Sequence, residues 1–401
     1  MSVYDGGEIL RIAVISDLHA FSDSATAVAP SHLDINRPKN QRGKHPISGL
    51  KHVIEERKLS ADILLCPGDL GDKADKKGIE YAWGAIQEIG QALHSGHIVG
   101  TSGNHDLDSR YKLTGYDPQE FLKQLMPPYP FSDHVKNESY WARHFALHDG
   151  DNYRLLVLNS SAYHGGAPKE IDHGRVADNS IAEMEATLAQ LSPKNVNVLL
   201  CHHHPLEHVD FEAKDYEAME GGQRLLHVLG SGKYGQWLVI HGHKHHPKLE
   251  YASGAGDSPV ILSAGSLCAV IYSTLQTLAR NEFHIVTLDI NEVKRFGLVG
   301  RVLSWDWAFG DGWAPSRPGS GLPNQCGFGF RTDLKVLADR IAGNLQGEFA
   351  EWRSVRDAIP EVDFLIPQDY AKVVRNLKQH HGIQILELDG MPEQIGRSKT
   401  R

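Results

Sequence analysis

Cysteine is scarce in this chain, and its scarcity removes two kinds of protein. Cys66, Cys201, Cys268 and Cys326 are the four cysteines among 401 residues, far apart and without a Cys-x-x-Cys pair. Neither a thiolate zinc site nor a disulfide framework is expected, and buried, reduced thiols are. Long apolar runs are missing too. Nothing approaches the roughly 20 apolar residues of a membrane-spanning helix. The N-terminus lacks a basic stretch followed by an apolar one, so no signal peptide is expected and the cytoplasm is the expected location. Positive charge is not in excess: the formal net charge is −9. That balance disfavours broad adhesion to nucleic acid, which needs a basic surface, and leaves room for a local basic groove. Internal repeats and low-complexity tracts are absent.

What is present is the composition of a soluble globular protein, 41% hydrophobic and 23% charged. The length exceeds what one compact core usually organises, so a main domain with an accessory segment is expected. Short β-branched runs at 9–16, 62–66, 98–101, 153–159, 196–201, 237–240, 260–263, 283–290 and 302–305 end abruptly in polar residues or glycine. Most are nearly continuous in apolar character, as strands covered on both faces are. Helical periodicity fills gaps between them: Ile79, Trp83, Ile86, Ile89 and Leu93 share one side, and Ile181, Met184, Leu188 and Leu191 another before Pro193. The alternation predicts an α/β protein whose sheets are covered by helices. Shorter connections later in the chain suggest antiparallel pairing there.

Residues 1–310 make the expected main domain. Within it, 21–48 is rich in Ser, Pro, Asn, Lys and Arg and long for a strand–helix loop, which suggests a lid or a mobile insertion. A Gly- and Pro-rich linker is expected over 311–330. Beyond it, Leu334, Leu337, Ile341 and Leu345 form one helical face, and Tyr370, Val373, Val374 and Leu377 another ended by Gly382. Trp352, Val355 and Ile359 suggest a shorter third, so 331–401 reads as a helical extension without a chemical motif.

The 24 histidines are the unusual feature, and several stand just past strand ends. Asp17-Leu18-His19, Gly68-Asp69, Gly103-Asn104-His105-Asp106, His202-His203-His204-Pro205 and His241-Gly242-His243-Lys244-His245 all do so. Open α/β sheets build their sites in the crevice at these strand ends. Asp17 and His19, two apart, face the same way in extended backbone and can share one ion. The Asp69 carboxylate has two oxygens and can bridge two. Asn104 offers a neutral amide oxygen. Asp106 beside His105 suggests an imidazole oriented by a carboxylate. His243 and His245 can bind two different ions, and one or two of His202, His203 and His204 can face the site. Each motif alone is weak, since Asp-x-His and Gly-Asp are common turns.

Taken in this order, the motifs over roughly residues 9–307 resemble the calcineurin-like metallophosphoesterase superfamily. The resemblance implies a four-layer α/β/β/α sandwich. It assigns Asp17, His19, Asp69 and His245 to one divalent metal, and Asp69, Asn104, His203 and His243 to the other. His203 is taken because the family's ligand lies two residues before the proline, with His204 as the fallback. Such ions sit ~3.5–4 Å apart and lower the pKa of a shared water, which attacks a phosphoester in line. His105, oriented by Asp106, is the expected proton donor to the leaving group. Mn²⁺, Fe or Zn²⁺ suit these nitrogen and oxygen ligands better than Mg²⁺ does. Arg110, Tyr111, Lys39, Arg42, Lys44 and His45 are either substrate contacts or a solvated loop face.

The expected activity is hydrolysis of a small phosphodiester, such as a cyclic nucleotide. A nuclease is disfavoured by the acidic balance and the lack of an aromatic and basic strip. A phosphomonoesterase or protein phosphatase is a further alternative. The last is an interaction scaffold whose 331–401 segment self-associates or docks a protein partner. No membrane partner is expected.

Overall fold

The computed structural model describes residues 8–23, 29–109, 115–165, 173–207, 218–254, 256–317, 319–388 and 390–398. The first part of the chain runs β1 (Ile9–Val14), α1 (Pro46–Arg57), β2 (Ile63–Cys66), α2 (Lys76–Ala92), β3 (His97–Gly100), α3 (Pro118–Lys123) and α4 (His134–Arg143). It continues with β4 (Phe145–Asp149), β5 (Tyr153–Leu158), α5 (Asp178–Ala189), β6 (Val196–Leu200), α6 (Gly222–Leu229), β7 (Trp237–His241), β8 (Lys248–Tyr251) and β9 (Val260–Ser263). Then come β10 (Asn281–Asp289), α7 (Ile290–Phe296), β11 (Gly300–Ala308), β12 (Gly312–Pro315) and β13 (Gln325–Phe328). The extension comprises α8 (Leu334–Asn344), β14 (Phe349–Glu351), α9 (Trp352–Ala358), α10 (Pro367–His381), β15 (Ile383–Leu388) and β16 (Met391–Arg397).

Two sheets stack face to face. One has the order β12-β11-β10-β1-β2-β3, with β13 also on β11; the other is β4-β5-β6-β7-β9-β8. Ile12, Val14, Leu65 and Val99 of the first sheet meet Val157, Val198, Leu200 and Ile240 of the second in one buried cluster. The outer face of the first sheet is covered by α1 and α2 through Leu50, Ile54, Ile79, Trp83 and Ile86. The outer face of the second is covered by α5 and α6 through Ile181, Met184, Leu188, Leu225 and Leu229. The result is the α/β/β/α order. Strands β2, β6 and β7 are buried at every position, which is why they read as unbroken apolar runs. Helix α2 begins where the Asp75 carboxylate accepts the Gly78 N–H and carries the expected apolar side.

Pairing departs from expectation in the second sheet. There β5, β6, β7 and β9 are all parallel, whereas β8 on β9, β10 to β13 and β14 to β16 pair antiparallel, as expected for the later strands. The described part of 21–48 is anchored: Ser31 bridges Ala269, the His32 N–H donates to the Cys268 carbonyl, and the Trp313 indole donates to the Pro46 carbonyl. The segment 311–330 supplies β12 and β13 to the first sheet.

The extension contains its three helices and also a small sheet, β14-β16-β15, around its own core of Leu337, Ile341, Val355, Val373 and Leu377. Alternation is too short in β14 and too polar in β16 for sequence to reveal these strands. It docks firmly. Phe364 and Ile366 enter the core between the main sheets, and Arg301 pairs with both Glu292 and Asp363. Gly327 lies so close to the Asp363 carbonyl that a Cβ there would stand 1.8 Å from the oxygen.

Candidate metal centre

The parallel strands β1, β2 and β3 of one sheet and β6 and β7 of the other release their loops at one rim, and the polar motifs meet there. The backbone is bent to do so. Asp17, His19, Asp69, His243 and His245 all adopt positive φ, between 46° and 76°. Non-glycine residues seldom adopt that region, and clusters of them mark functional sites held by surrounding structure. Glycines give the room: a Cβ on Gly103 would sit 2.1 Å from Asp69 Oδ1, and one on Gly242 2.3 Å from Asp17 Oδ2.

Two groups of donors result. On one side His19 Nε2 and His245 Nε2 face each other at 3.0 Å, with Asp17 Oδ1 3.3 Å from His245 and Asp69 Oδ2 3.5 Å from His19. On the other, Asn104 Oδ1 lies 3.0 Å from both His202 Nε2 and His243 Nδ1, and Asp69 Oδ2 is 3.4 Å from His202. Asp69 Oδ2 thus stands between the two groups. Its other oxygen accepts the His105 N–H at 2.8 Å.

This donor set fits a pair of cations. His202 Nδ1 donates to the Pro67 carbonyl at 2.8 Å, which leaves Nε2 with its lone pair aimed at two oxygens that are acceptors as well. A cation is what relieves such a convergence. A second ring nitrogen tied to a carbonyl is also the usual support of a metal-bound histidine. Burial lowers His19 and His202 to about 4, so both rings are neutral donors at neutral pH. Asp17 is ionised: burial pushes its pKa up, but the His245 contact and the neighbouring imidazoles outweigh that and hold it well below the carboxylate range. Burial raises Asp69, with Asp17 and Asp106 adding to the effect, a repulsion that cations would relieve.

The structure changes two details. The ring that meets Asn104 and Asp69 belongs to His202. His203 is turned, with Nδ1 3.0 Å from Ser160 Oγ, although one ring nitrogen stays within 4.8 Å of those of His202 and His243. His204 stacks on His243. Three histidines follow β6; the first points to Asn104 and Asp69, and the second, the one counted back from the proline, stays in the same cluster with its Nδ1 at Ser160.

The second change concerns His105. Its Nδ1 lies 2.9 Å from Asp72, whereas Asp106 accepts the backbone N–H groups of Leu70, Gly71 and Gly103. Asp106 is therefore a fully buried latch between the β2 and β3 loops, raised to about 7 by burial. Burial would raise Asp72 too, but hydrogen bonds from His105 and His19 hold it well below the usual range. The only sequence signal for Asp72 was its place three residues after Asp69, in Gly68-Asp69-Leu70-Gly71-Asp72. His105 stands edge-on to His19 with ring centres 4.6 Å apart.

Among the proposed substrate contacts, Arg110 and Tyr111 lie outside the described residues. His45 caps α1 and meets the Tyr81 hydroxyl, Lys39 sits over the Tyr81 ring, and Arg42 and Lys44 are exposed. Sequence reasoning passed over His164 and Ser109, which meet beside His203.

A sandwich of this order with a cation-ready rim defines a metal-dependent hydrolase. A family model, calcineurin-like phosphoesterase, matches residues 10–247, and the chain belongs to that family. A second, wHTH-Calcineurin_assc, matches residues 326–379, a stretch that holds α8, β14, α9 and most of α10, with β15 and β16 following it. Comparison with curated proteins returned no match. Among solved structures, the chain is similar to purple acid phosphatase PPD1 from yellow lupin (Lupinus luteus) seeds, with 13% identity and a TM-score of 0.49. That alignment covers 81% of this chain and 54% of the lupin chain, so the present chain matches about half of that protein's length. PhoD aligns with 10% identity and a TM-score of 0.47 over 80% of this chain and 70% of its own. Phosphopantetheinyl hydrolase from Mycobacterium tuberculosis aligns with 14% identity and a TM-score of 0.33 over 65% and 91%.

Proposed function

We propose that this chain hydrolyses a small phosphodiester, with Asp17, His19, Asp69 and His245 holding one divalent cation and Asp69, Asn104, His202 and His243 the other. Mn²⁺, Fe and Zn²⁺ suit this mixture of imidazole, carboxylate and amide. When bound, such a pair supplies an acidified water and neutralises charge on the phosphoryl oxygens. The chain's own residues do the rest. Asp69 spans both groups, Asp106 fixes its loop, and His105, with Nδ1 at Asp72, hands a proton from Nε2 to the leaving group. Asp72 accepts from Nδ1 and stabilises the imidazolium that can protonate a departing alkoxide. The charge of the rim carries the choice of a diester. Asp17, Asp69 and Asp72 offset most of the charge of two divalent ions, which suits a singly charged diester better than a doubly charged monoester.

A nuclease has one observation in its favour: Gln368, Lys372, Arg375 and Gln379 form an exposed stripe along α10, with Lys372 paired to Asp369 beside it. Glu387 and Glu393, on the hairpin beside it, weigh against contact with a phosphate backbone. Phe349 and Leu386, exposed by 72% and 62% on the small sheet, support self-association or a protein partner through the extension. Free thiols at all four cysteines agree with a reducing, cytoplasmic setting. No described helix is long and apolar enough to cross a membrane.

A substrate panel tests the activity. With Mn²⁺, the protein should turn over bis-p-nitrophenyl phosphate and a cyclic nucleotide faster than p-nitrophenyl phosphate or DNA, and Asp69→Asn should be inactive. Turnover of the monoester without the diesters would overturn the diester choice.

A further inference from the structure

The extension does not close completely on the main domain. A cavity of about 490 Å³ opens at the seam, with the segment that carries β13 on one side and α9, α10 and the β15–β16 hairpin on the other. Packed interiors leave few voids larger than a water molecule, whereas this volume is that of a site for a small organic ligand. Its walls are set in advance. The Gly321 N–H donates to the Leu278 carbonyl at 2.9 Å, the Gly327 N–H to the Leu365 carbonyl at 3.1 Å, and the Asn324 amide to Met391 Sδ at 3.4 Å. Binding to such a preformed site orders little of the chain, so more of the interaction energy appears as affinity.

The lining is largely apolar and aromatic. Trp352 and Tyr370 meet edge to face with ring centres 6.5 Å apart, and Val362, Leu365, Met391 and Pro392 line the cavity with them. Arg356, Asp363 and Glu387 are its charged members. Two of these cancel. The Arg356 guanidinium donates to both oxygens of Asp363, and Arg301, the second cation on Asp363, is balanced by Glu292. Glu387 differs. It is exposed at the mouth, and the Tyr370 hydroxyl donates to its Oε1 at 3.0 Å, but no cation pairs with it among the described residues. One hydroxyl satisfies only part of what a carboxylate can accept. An aromatic floor is thus combined with one uncompensated negative charge.

We infer that the seam cavity is a binding site for a small aromatic amine: the ring packs against Trp352, Tyr370 and Met391, and the ammonium group pairs with Glu387. A neutral ligand lacks the pairing, and an acid meets a like charge. None of the lining residues is a proposed metal ligand, so the site stands or falls independently of the phosphoesterase reading.

Calorimetric titration of the full chain, loaded with Mn²⁺, tests the site with tryptamine and tryptophol. The two probes share an indole on a two-carbon chain and differ in ending on an ammonium or a hydroxyl group. The wild type should bind tryptamine roughly three- to fivefold more tightly, the most that an ion pair at an exposed carboxylate usually contributes. The difference should shrink in about 1 M salt, where screening acts within roughly 3 Å. Glu387→Gln, which keeps an oxygen for the Tyr370 hydroxyl, should bind the two probes alike. Ala371→Phe places a ring in the cavity from the exposed side of α10 and should abolish binding of both, with a melting temperature near that of the wild type. A wild type that binds neither probe, or binds both equally, overturns the proposal. A preference that persists in Glu387→Gln overturns the role of Glu387. Tryptamine binding that survives in folded Ala371→Phe places the ligand elsewhere and overturns the site.

Discussion

His202 and His203 differ by one position in the chain, and their rings make different contacts: the first meets Asn104 and Asp69, the second Ser160. The motifs were legible in the sequence because glycine and proline mark the turns and the residue types are hard to place together by chance. How the rings of His202 and His203 are turned was not legible, because it depends on hydrogen bonds to Pro67 and Ser160 from distant parts of the chain. The rule that residues two apart face the same way also assumes extended backbone. Asp17 and His19 instead come together through left-handed turns at φ 52° and 46°, which no propensity reveals. Asp72 was missed for a related reason: His105 was paired with its neighbour in sequence, whereas its partner in space is Asp72. His105→Ala should lower turnover by about 10²–10⁴ with metal content unchanged. Asp72→Asn should lower it less, since the ring remains and loses only the carboxylate that steadies its charge. Metal analysis and kcat on both variants check this, and loss of metal from His105→Ala would show that the ring supports the ligands instead.

At the scale of elements, the apolar runs identified the central strands and the main helices because burial on both faces leaves so plain a signature. The small strands of the extension left none. One strand carries a testable electrostatic load. Glu282 on β10 is almost wholly buried and accepts the Leu322 N–H with both oxygens, at 3.1 and 3.2 Å. Burial raises its pKa well above the ordinary 4.5, so the folded protein holds a proton there that the unfolded chain releases. Below pH 4.5 both states are protonated and the group is neutral in its effect. As pH rises from 4.5 through the folded value, the wild type loses stability through this group. Glu282→Gln removes the titration. The variant's melting temperature minus that of the wild type should therefore climb by a few degrees across that range, as followed by thermal unfolding at a series of pH values. A difference that stays flat, or falls, would contradict the assignment.

For the molecule as a whole, two stacked sheets bring the ends of β1, β2 and β3 to the same rim as those of β6 and β7. Residues more than two hundred positions apart thereby share one polar pocket, with Asp17 Oδ1 only 3.3 Å from His245 Nε2. The order of layers and the cation-binding rim were both implied by the resemblance. The firm docking of the extension was not, because Phe364, Asp363 and Gly327 lie on segments that look like connections in the sequence. The account stands on the convergence of donors, and anomalous scattering from crystals of the protein grown with Mn²⁺ measures it directly. It predicts two peaks per chain, one among Asp17, His19, Asp69 and His245, the other among Asp69, Asn104, His202 and His243. A single peak, or peaks away from Asp69, would contradict it.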